Sequence, residues 1–153
     1  ERKHEAYLRK LAETRRMKRN PALLEGKPDP LREAVGLPLG IEGEYYVGST
    51  ADYGQEHTAD ITAYNNSPGE QPGLWLQWEP LDGGEAIGWN GSEKFYQYVP
   101  WLTYLVEHFL KPWGYTLSGE VTYQGEDPED FGKILVRNNL VKTLVGERTY
   151  RDE

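Results

Sequence analysis

Histidines and carboxylates are the residues of this chain that could carry out acid–base or metal chemistry. His4, His57 and His108 are isolated along the sequence and follow no metal-ligand spacing. His108 falls near the C-terminal end of a predicted helix, where an imidazolium would interact favourably with the helix dipole. We therefore favour a structural role for it over a ligand role. The sequence has no cysteine, which excludes disulfides, a cysteine nucleophile and cysteine-based zinc sites.

The carboxylates leave two interpretations open. Asp60, Glu79 and Glu120 are predicted on polar faces of strands, so two of them could form an acid–base pair if those strands are neighbours. Strands commonly carry solvated carboxylates, and we favour that simpler interpretation. The acidic segment 126–130 lacks the ligand spacing and turn glycine of an EF-hand, which indicates a solvated turn. No phosphate-binding glycine motif is present. We expect no catalytic residue, no metal site and no cofactor.

Charge is distributed unevenly along the chain, whose formal net charge is −8. Residues 1–36 hold 10 Lys and Arg against 6 Asp and Glu, whereas residues 37–153 hold 7 against 19. The basic segment could contact phosphates or a partner, while nucleic acid should repel the acidic remainder. The alternative is a solvated helix on which Glu5 and Glu13 pair locally. The candidate contact residues are Arg9, Lys10, Arg15, Arg16, Lys18 and Arg19.

Aromatic residues are abundant, with 5 Trp, 11 Tyr and 3 Phe. Disordered chains are poor in such residues, so this composition indicates a folded core. Tyr46, Tyr64 and Trp75 fall on strand faces that we expect to be polar, where they would form a patch suited to protein binding or base stacking. They could equally belong to a second, smaller core beneath the N-terminal helix and the linker that follows it.

Residues 1–20 are predicted to form a basic helix that ends at Asn20-Pro21, because the residue before a proline disfavours helical geometry. The apolar stripe is narrow, so we expect this helix to lie loosely on the domain, to project from it or to dock on a partner. Its members are Tyr7, Leu8, Leu11 and Met17. Residues 21–40 are rich in proline and glycine and are interpreted as a linker.

Residues 41–146 are predicted to form an α+β domain, followed by a charged tail at 147–153. Turn signals occur at Asp82-Gly83-Gly84 and Asn138-Asn139. Alternating apolar residues predict strands at 41–49, 58–64, 74–79, 86–90, 117–123, 132–137 and 140–145.

One long amphipathic helix is predicted between the fourth and fifth of these strands, because apolar residues from Phe95 to Phe109 recur at helical spacing. Ser92 is a candidate N-cap. Pro100 indicates either a kink or a helix start near Val99. Short antiparallel connections and this single helix predict a mostly antiparallel sheet with the helix packed on one face.

The C-terminal half contains a predicted helix at Trp101–Leu110, a strand and acidic turn at Leu117–Asp127, and a hairpin at Phe131–Val141. In this pattern it resembles small ferredoxin-like proteins encoded by phages and plasmids. The resemblance covers about a third of the chain, and residues 1–19 lie outside it. It implies an accessory protein with no known catalytic residues to carry over.

These features lead us to expect a non-enzymatic accessory protein that binds a protein or nucleoprotein machine. A nucleic-acid-associated protein that uses its basic N-terminal helix is the first alternative, and an enzyme with an unrecognised carboxylate site is the second. No apolar run approaches the length of a membrane span and no signal peptide is visible. We therefore expect no membrane partner and a location in the cytoplasm, which would be the host's if a phage encodes the protein.

Overall fold

The structure is a computed structural model that describes residues 1–13, 15, 16, 18–23, 59, 61–67, 69, 71–92 and 94–152. Within these residues it combines helices with antiparallel sheets, as the predicted α+β class requires. The chain divides into two compact units, Glu1–Trp101 and Leu102–Glu153. The predicted strand at 41–49 and most of the predicted linker lie outside the described residues.

Helix α1 spans Arg2–Glu13 in the first unit and packs against the first hairpin of that unit. Its buried residues are spaced one and four positions apart, so they form one face of the helix. That face consists of Tyr7, Leu8, Leu11 and Ala12. Arg9 adds a hydrogen bond between the helix and the hairpin, because its Nη2 donates to the carbonyl of Pro80 at 3.0 Å. The same nitrogen donates to Glu5 Oε1 at 3.1 Å. The stripe is therefore wide enough to bury one face of the helix, since Ala12 extends it.

Helix α1 ends well before Asn20-Pro21, the predicted end, and the difference has a backbone cause. The N–H of Arg16 donates to the carbonyl of Leu74 at 2.7 Å, which an α-helical residue could not do while bonded within its own helix. Strand β1, Lys18–Arg19, then pairs with strand β2, Ile61–Ala63. Long-range backbone pairing thus replaces the last turns of the predicted helix.

A hairpin follows in the first unit, formed by strands β3 (Trp78–Leu81) and β4 (Ala86–Trp89). Its turn contains the predicted Asp82-Gly83-Gly84, and all three residues have positive φ. Leu81 lies over Gly88 so closely that a Cβ at position 88 would overlap its side chain. Glycine at position 88 therefore lets Leu81 pack on the neighbouring strand.

Helix α2, Tyr98–Leu105, is continued by a π-helical turn at Val106–Leu110. The predicted long helix thus starts near Val99, the second of the two alternatives. Pro100 is accommodated in the first turn, where backbone N–H groups have no partner within the helix. Ser92 lies outside the helix, and its N–H bonds to Asn90 Oδ1 at 3.1 Å. The predicted packing of this helix on a sheet face stays a prediction.

The second unit contains a three-stranded antiparallel sheet in the order β5-β6-β7. The strands are β5 (Gly119–Gln124), β6 (Phe131–Arg137) and β7 (Leu140–Val145). On β6, buried Ile134 and Val136 alternate with exposed Lys133 and Arg137, which is the predicted period of two. Asn138 and Asn139 form the predicted β6–β7 turn with φ values of 48° and 70°.

Candidate interaction surfaces

The six predicted basic contact residues do not share one surface. Arg9 and Lys10 lie on helix α1, where Lys10 is exposed. Lys18 and Arg19 form strand β1. Arg15 and Arg16 lie between these elements, and only 6 % of the first and none of the second is exposed. The two central arginines of the run are therefore not available to contact phosphate in this structure.

Arg16 is held by three kinds of contact inside the first unit. Its Nε donates to Gln71 Oε1 at 2.9 Å, and its Nη1 donates to the carbonyl of Leu11 at 2.9 Å. Its Cζ lies 4.7 Å from the ring centre of Trp101, a cation–π geometry. The Leu11 carbonyl belongs to the last turn of helix α1, where carbonyls lack partners within the helix. Arg16 thus joins the end of the helix to two later segments.

Arg15 binds the segment that follows strand β2 through similar hydrogen bonds. Its guanidinium donates to the carbonyl of Tyr64, and its Nη2 donates to Asn65 Oδ1 at 2.8 Å. Burial lowers the pKa of Arg15 from its ordinary value, because desolvation disfavours the charged form. Both arginines therefore hold backbone segments in place.

Two of the three residues of the predicted aromatic patch lie in the described part of the chain. Tyr46 lies outside the described residues, whereas Tyr64 and Trp75 are half-buried in the first unit. Tyr64 presents its backbone carbonyl to Arg15. Whether the three residues form a patch or a second core stays a prediction.

The residues considered for acid–base or metal chemistry lie on different helices and strands where they are described. Glu79 lies on β3, and Glu120 lies on β5, 3.1 Å from Lys133 Nζ, whereas Asp60 and His57 are outside the described residues. His108 stacks on Tyr104 with ring centres 4.1 Å apart. Burial lowers the pKa of His4. In the described parts of the chain, no three or more His, Cys, Asp or Glu side chains are grouped as metal ligands.

A half-exposed aromatic cluster, formed by Trp78, Trp89, Phe95 and Tyr98, lies beside the β3–β4 hairpin. Phe95 is its centre: its ring is 4.9 Å from Trp78, 5.7 Å from Trp89 and 5.4 Å from Tyr98. Trp78 is buried and donates its indole N–H to the Tyr98 carbonyl at 2.8 Å. Trp89 is 46 % exposed, and its ring is nearly parallel to that of Phe95, with an interplanar angle of 12°.

Trp89 and Phe95, the open part of this cluster, are called the Trp89 surface together with Tyr96, which follows Phe95 in the sequence and is 66 % exposed. One ring face of Trp89 is stacked on Phe95, which fixes the orientation of the indole. The sequence pattern does not reveal this surface, because Phe95 fits the helical spacing of the residues that follow it. Phe95 precedes the helix instead, since helix α2 begins at Tyr98 and Gln97 has positive φ.

The acidic turn between β5 and β6 is a hydrogen-bonded structure of its own. The N–H of Glu129 donates to Asp127 Oδ1 at 2.8 Å, and Gln124 Nε2 donates to the Asp127 carbonyl at 3.2 Å. Arg148 reaches back from the tail, donates to the Pro128 carbonyl at 2.7 Å and lies over the ring of Phe131. These contacts connect the charged tail to the turn.

Strand β7 forms one edge of the three-stranded sheet in the second unit and exposes apolar side chains. Leu140 is 59 %, Leu144 48 % and Val145 78 % exposed. Among the described strands, β7 pairs only with β6, so its other edge faces no strand of this part of the chain. Exposed apolar edge strands are sites where sheets add further strands.

In comparisons with known proteins, no family model, no curated protein and no solved structure matches the chain. Among the described helices, none has both the length and the apolar character to cross a lipid bilayer.

Proposed function

We propose that the protein is a non-enzymatic accessory protein that binds a protein partner through the Trp89 surface. The observation that carries this proposal is the stacked pair of Trp89 and Phe95, in which an indole is held in one orientation while 46 % of its residue stays exposed. Exposed apolar residues are common when they stand alone. A tryptophan that is held in one orientation and still partly exposed has the character of a binding hot spot.

Preorganisation supports binding at this surface. Ordering a free side chain on binding costs about 0.5–1.5 kcal/mol. The Trp89 ring already rests against Phe95, whose own position is determined by Trp78 and Tyr98. A partner that covers Trp89 would therefore gain apolar burial at a small entropic cost.

Charge supports a protein rather than a nucleic acid as the partner. The formal net charge of the chain is −8. Arg15 and Arg16, the centre of the basic run, use their guanidinium groups on backbone carbonyls and neighbouring side chains. The basic residues that could neutralise phosphates are correspondingly fewer, which weakens the electrostatic attraction on which nucleic-acid binding depends.

The biological setting is the second part of the proposal and rests on the resemblance of the C-terminal half to phage- and plasmid-encoded proteins. The protein would act as an accessory factor of a mobile element, in the cytoplasm of the host cell. Its partner would then be a component of a host or viral protein machine, which the Trp89 surface would recognise without any chemical step.

A pull-down from nuclease-treated host lysate tests the proposal, followed by affinity measurement with the purified partner. We expect Trp89→Ala to raise the Kd about 30-fold, the equivalent of about 2 kcal/mol for a hot-spot residue. Tyr96→Ala should have a smaller effect in the same direction. Thermal unfolding of each variant shows whether the fold is retained.

The matched control is Leu81→Ala, which removes an exposed apolar side chain from the opposite face of the same hairpin. Cross-strand partners share a face, so Trp89 lies with Trp78, and Leu81 lies with Ala86 on the other side. The control should bind like the wild type. Equal binding by Trp89→Ala, or a partner that disappears after nuclease treatment, would refute the proposal.

A further inference from the structure

The edge of strand β7 that pairs with no other strand of the described residues has a defined pattern of backbone hydrogen-bonding groups. The N–H of Gly146 donates to the carbonyl of Phe131 at 2.7 Å, so Gly146 directs its backbone groups towards β6. In an antiparallel pair the direction alternates with each residue. The N–H and C=O groups of Val141, Thr143 and Val145 therefore point away from β6, towards this edge.

We propose that this edge pairs with the same edge of a second copy of the chain, in an antiparallel arrangement with Thr143 opposite Thr143. The pairing would join two three-stranded sheets into one sheet of six strands. The inference goes beyond the proposed function, because it concerns a different surface in the other compact unit.

Three antiparallel registers bring the outward-pointing residues into hydrogen-bonded pairs near the centre of β7. They place Lys142 opposite Lys142, Thr143 opposite Thr143, or Leu144 opposite Leu144. The first is disfavoured because like charges directly opposite each other are destabilising. The third pairs only residues 143–145 within β7. The register centred on Thr143 pairs Val141 with Val145 and Lys142 with Leu144, so five of the six residues of β7 are paired within the strand, and Leu140 lies opposite Gly146.

Charge at the two ends of the sheet selects the antiparallel direction. The turn 125–130 at one end is acidic, whereas Arg137 lies at the other end beside the Asn138-Asn139 turn. An antiparallel partner places the acidic end of each sheet near the Arg137 end of the other. A parallel arrangement would put the two acidic ends side by side.

Self-complementarity is the reason to infer a second copy rather than a foreign strand. Two of the three exposed apolar side chains of β7 would meet an apolar or aliphatic surface of the second copy in this register: Val145 meets Val141, and Leu144 meets the Lys142 stem. The contact is short, so we expect a weak, reversible dimer of the transient class.

Sedimentation of the full-length protein tests the pairing, over concentrations from about 1 µM to 1 mM, the range of weak complexes. We expect a concentration-dependent dimer. Thr143→Pro should raise its dissociation constant about tenfold or more, because the two hydrogen bonds between the Thr143 residues are lost while the N–H removed is not one that bonds β6. A protein that stays monomeric throughout, or a dimer that Thr143→Pro leaves intact, would overturn the proposal.

Leu144→Glu distinguishes the proposed register from the other two without breaking the strand. In the proposed register the new carboxylate faces Lys142 of the second copy, so the dissociation constant should fall about threefold to tenfold at low salt. It would rise in both other registers, because residue 144 would then face Leu140 or residue 144 of the second copy instead of a lysine. Within the chain, residue 144 lies opposite Lys133, so a glutamate there does not oppose folding.

The double variant Lys142→Glu with Leu144→Glu completes the test, since it places two carboxylates opposite each other in the proposed register. Its dissociation constant should exceed that of Leu144→Glu by at least tenfold. Lys142→Glu alone, which faces only Leu144 of the second copy, is the matched control and should resemble the wild type. A double variant as tightly associated as Leu144→Glu would refute the register.

Discussion

Two short segments of this chain reverse the usual relation between residue type and exposure. Arg15 and Arg16 are buried, whereas Leu140, Leu144 and Val145 are among the exposed large apolar residues. The arginines are covered because their guanidinium groups find carbonyl and amide oxygens in the first unit. The apolar residues are exposed because they lie on an edge strand. Exposure is therefore decided by the position of the backbone and the available partners, not by polarity alone.

The largest expected effect tests the buried side of this comparison. Arg16→Ala should lower the free energy of unfolding by about 3–5 kcal/mol, because it leaves the Leu11 carbonyl and Gln71 without their donor and opens space beneath Trp101. Urea unfolding measures the change. Lys10→Ala, on the exposed side of helix α1, should stay within about 0.5 kcal/mol of the wild type. Similar losses for both variants would contradict the burial of Arg16.

The next largest effect is expected when two apolar residues of the three-stranded sheet are each replaced by alanine. Ile134→Ala should lower the free energy of unfolding by about 2–4 kcal/mol, because Ile134 is 1 % exposed and its removal leaves a cavity. Val145→Ala should change it by less than about 0.5 kcal/mol, since Val145 is already in solvent. Thermal or urea unfolding at low protein concentration, where the proposed dimer would be dissociated, makes the comparison. The interpretation fails if Val145→Ala is the more damaging variant.

Arg15→Ala should have an intermediate effect, a loss of about 1–3 kcal/mol. Two acceptors, the Tyr64 carbonyl and Asn65 Oδ1, would lose their donor, although water can reach part of this region. Arg15→Lys keeps the charge but not the planar fork, so it should recover only part of the loss. Full recovery by lysine would show that charge, rather than the two directed hydrogen bonds, is what this position requires.

The smallest effect concerns the half-buried His4 on helix α1. Burial lowers the pKa of His4 below its ordinary value of 6.5, so folding favours the neutral imidazole. Stability should therefore decrease as the pH falls through 6.5 and should level off below the folded pKa. His4→Gln removes this component. Unfolding curves at several pH values should show a slightly flatter dependence for the variant, and a steeper dependence would contradict the assigned direction.

Local turn chemistry made several elements predictable. Asn138-Asn139 forms the expected two-residue turn because asparagine tolerates positive φ, and the register of β6 and β7 follows from it. Asp82-Gly83-Gly84 defines the β3–β4 hairpin in the same way. At Pro100 the sequence left a kink and a helix start near Val99 as alternatives, and the structure has the start, because proline is accepted in a first turn but not in a helix interior.

The candidate surfaces were less accessible to sequence reasoning. Phe95 continues the apolar spacing of helix α2, and no local signal distinguishes it from a helix core residue. Its actual place, between Trp78 and Trp89, depends on the β3–β4 hairpin. In the sequence, Val145 cannot be distinguished from a buried apolar strand residue. Its exposure follows only from the edge position of β7.

The sequence by itself determined the α+β class, the turns and the alternation of β6, because these depend on φ preferences and on side-chain periods that act within a few residues. Tertiary structure alone decided where helix α1 ends and which arginines are buried. A carbonyl at Leu74 and an amide at Gln71 lie more than fifty residues from Arg16, and hydrogen bonds across such distances arise only when the chain has folded. The same long-range pairing determines which edge of a sheet is left open.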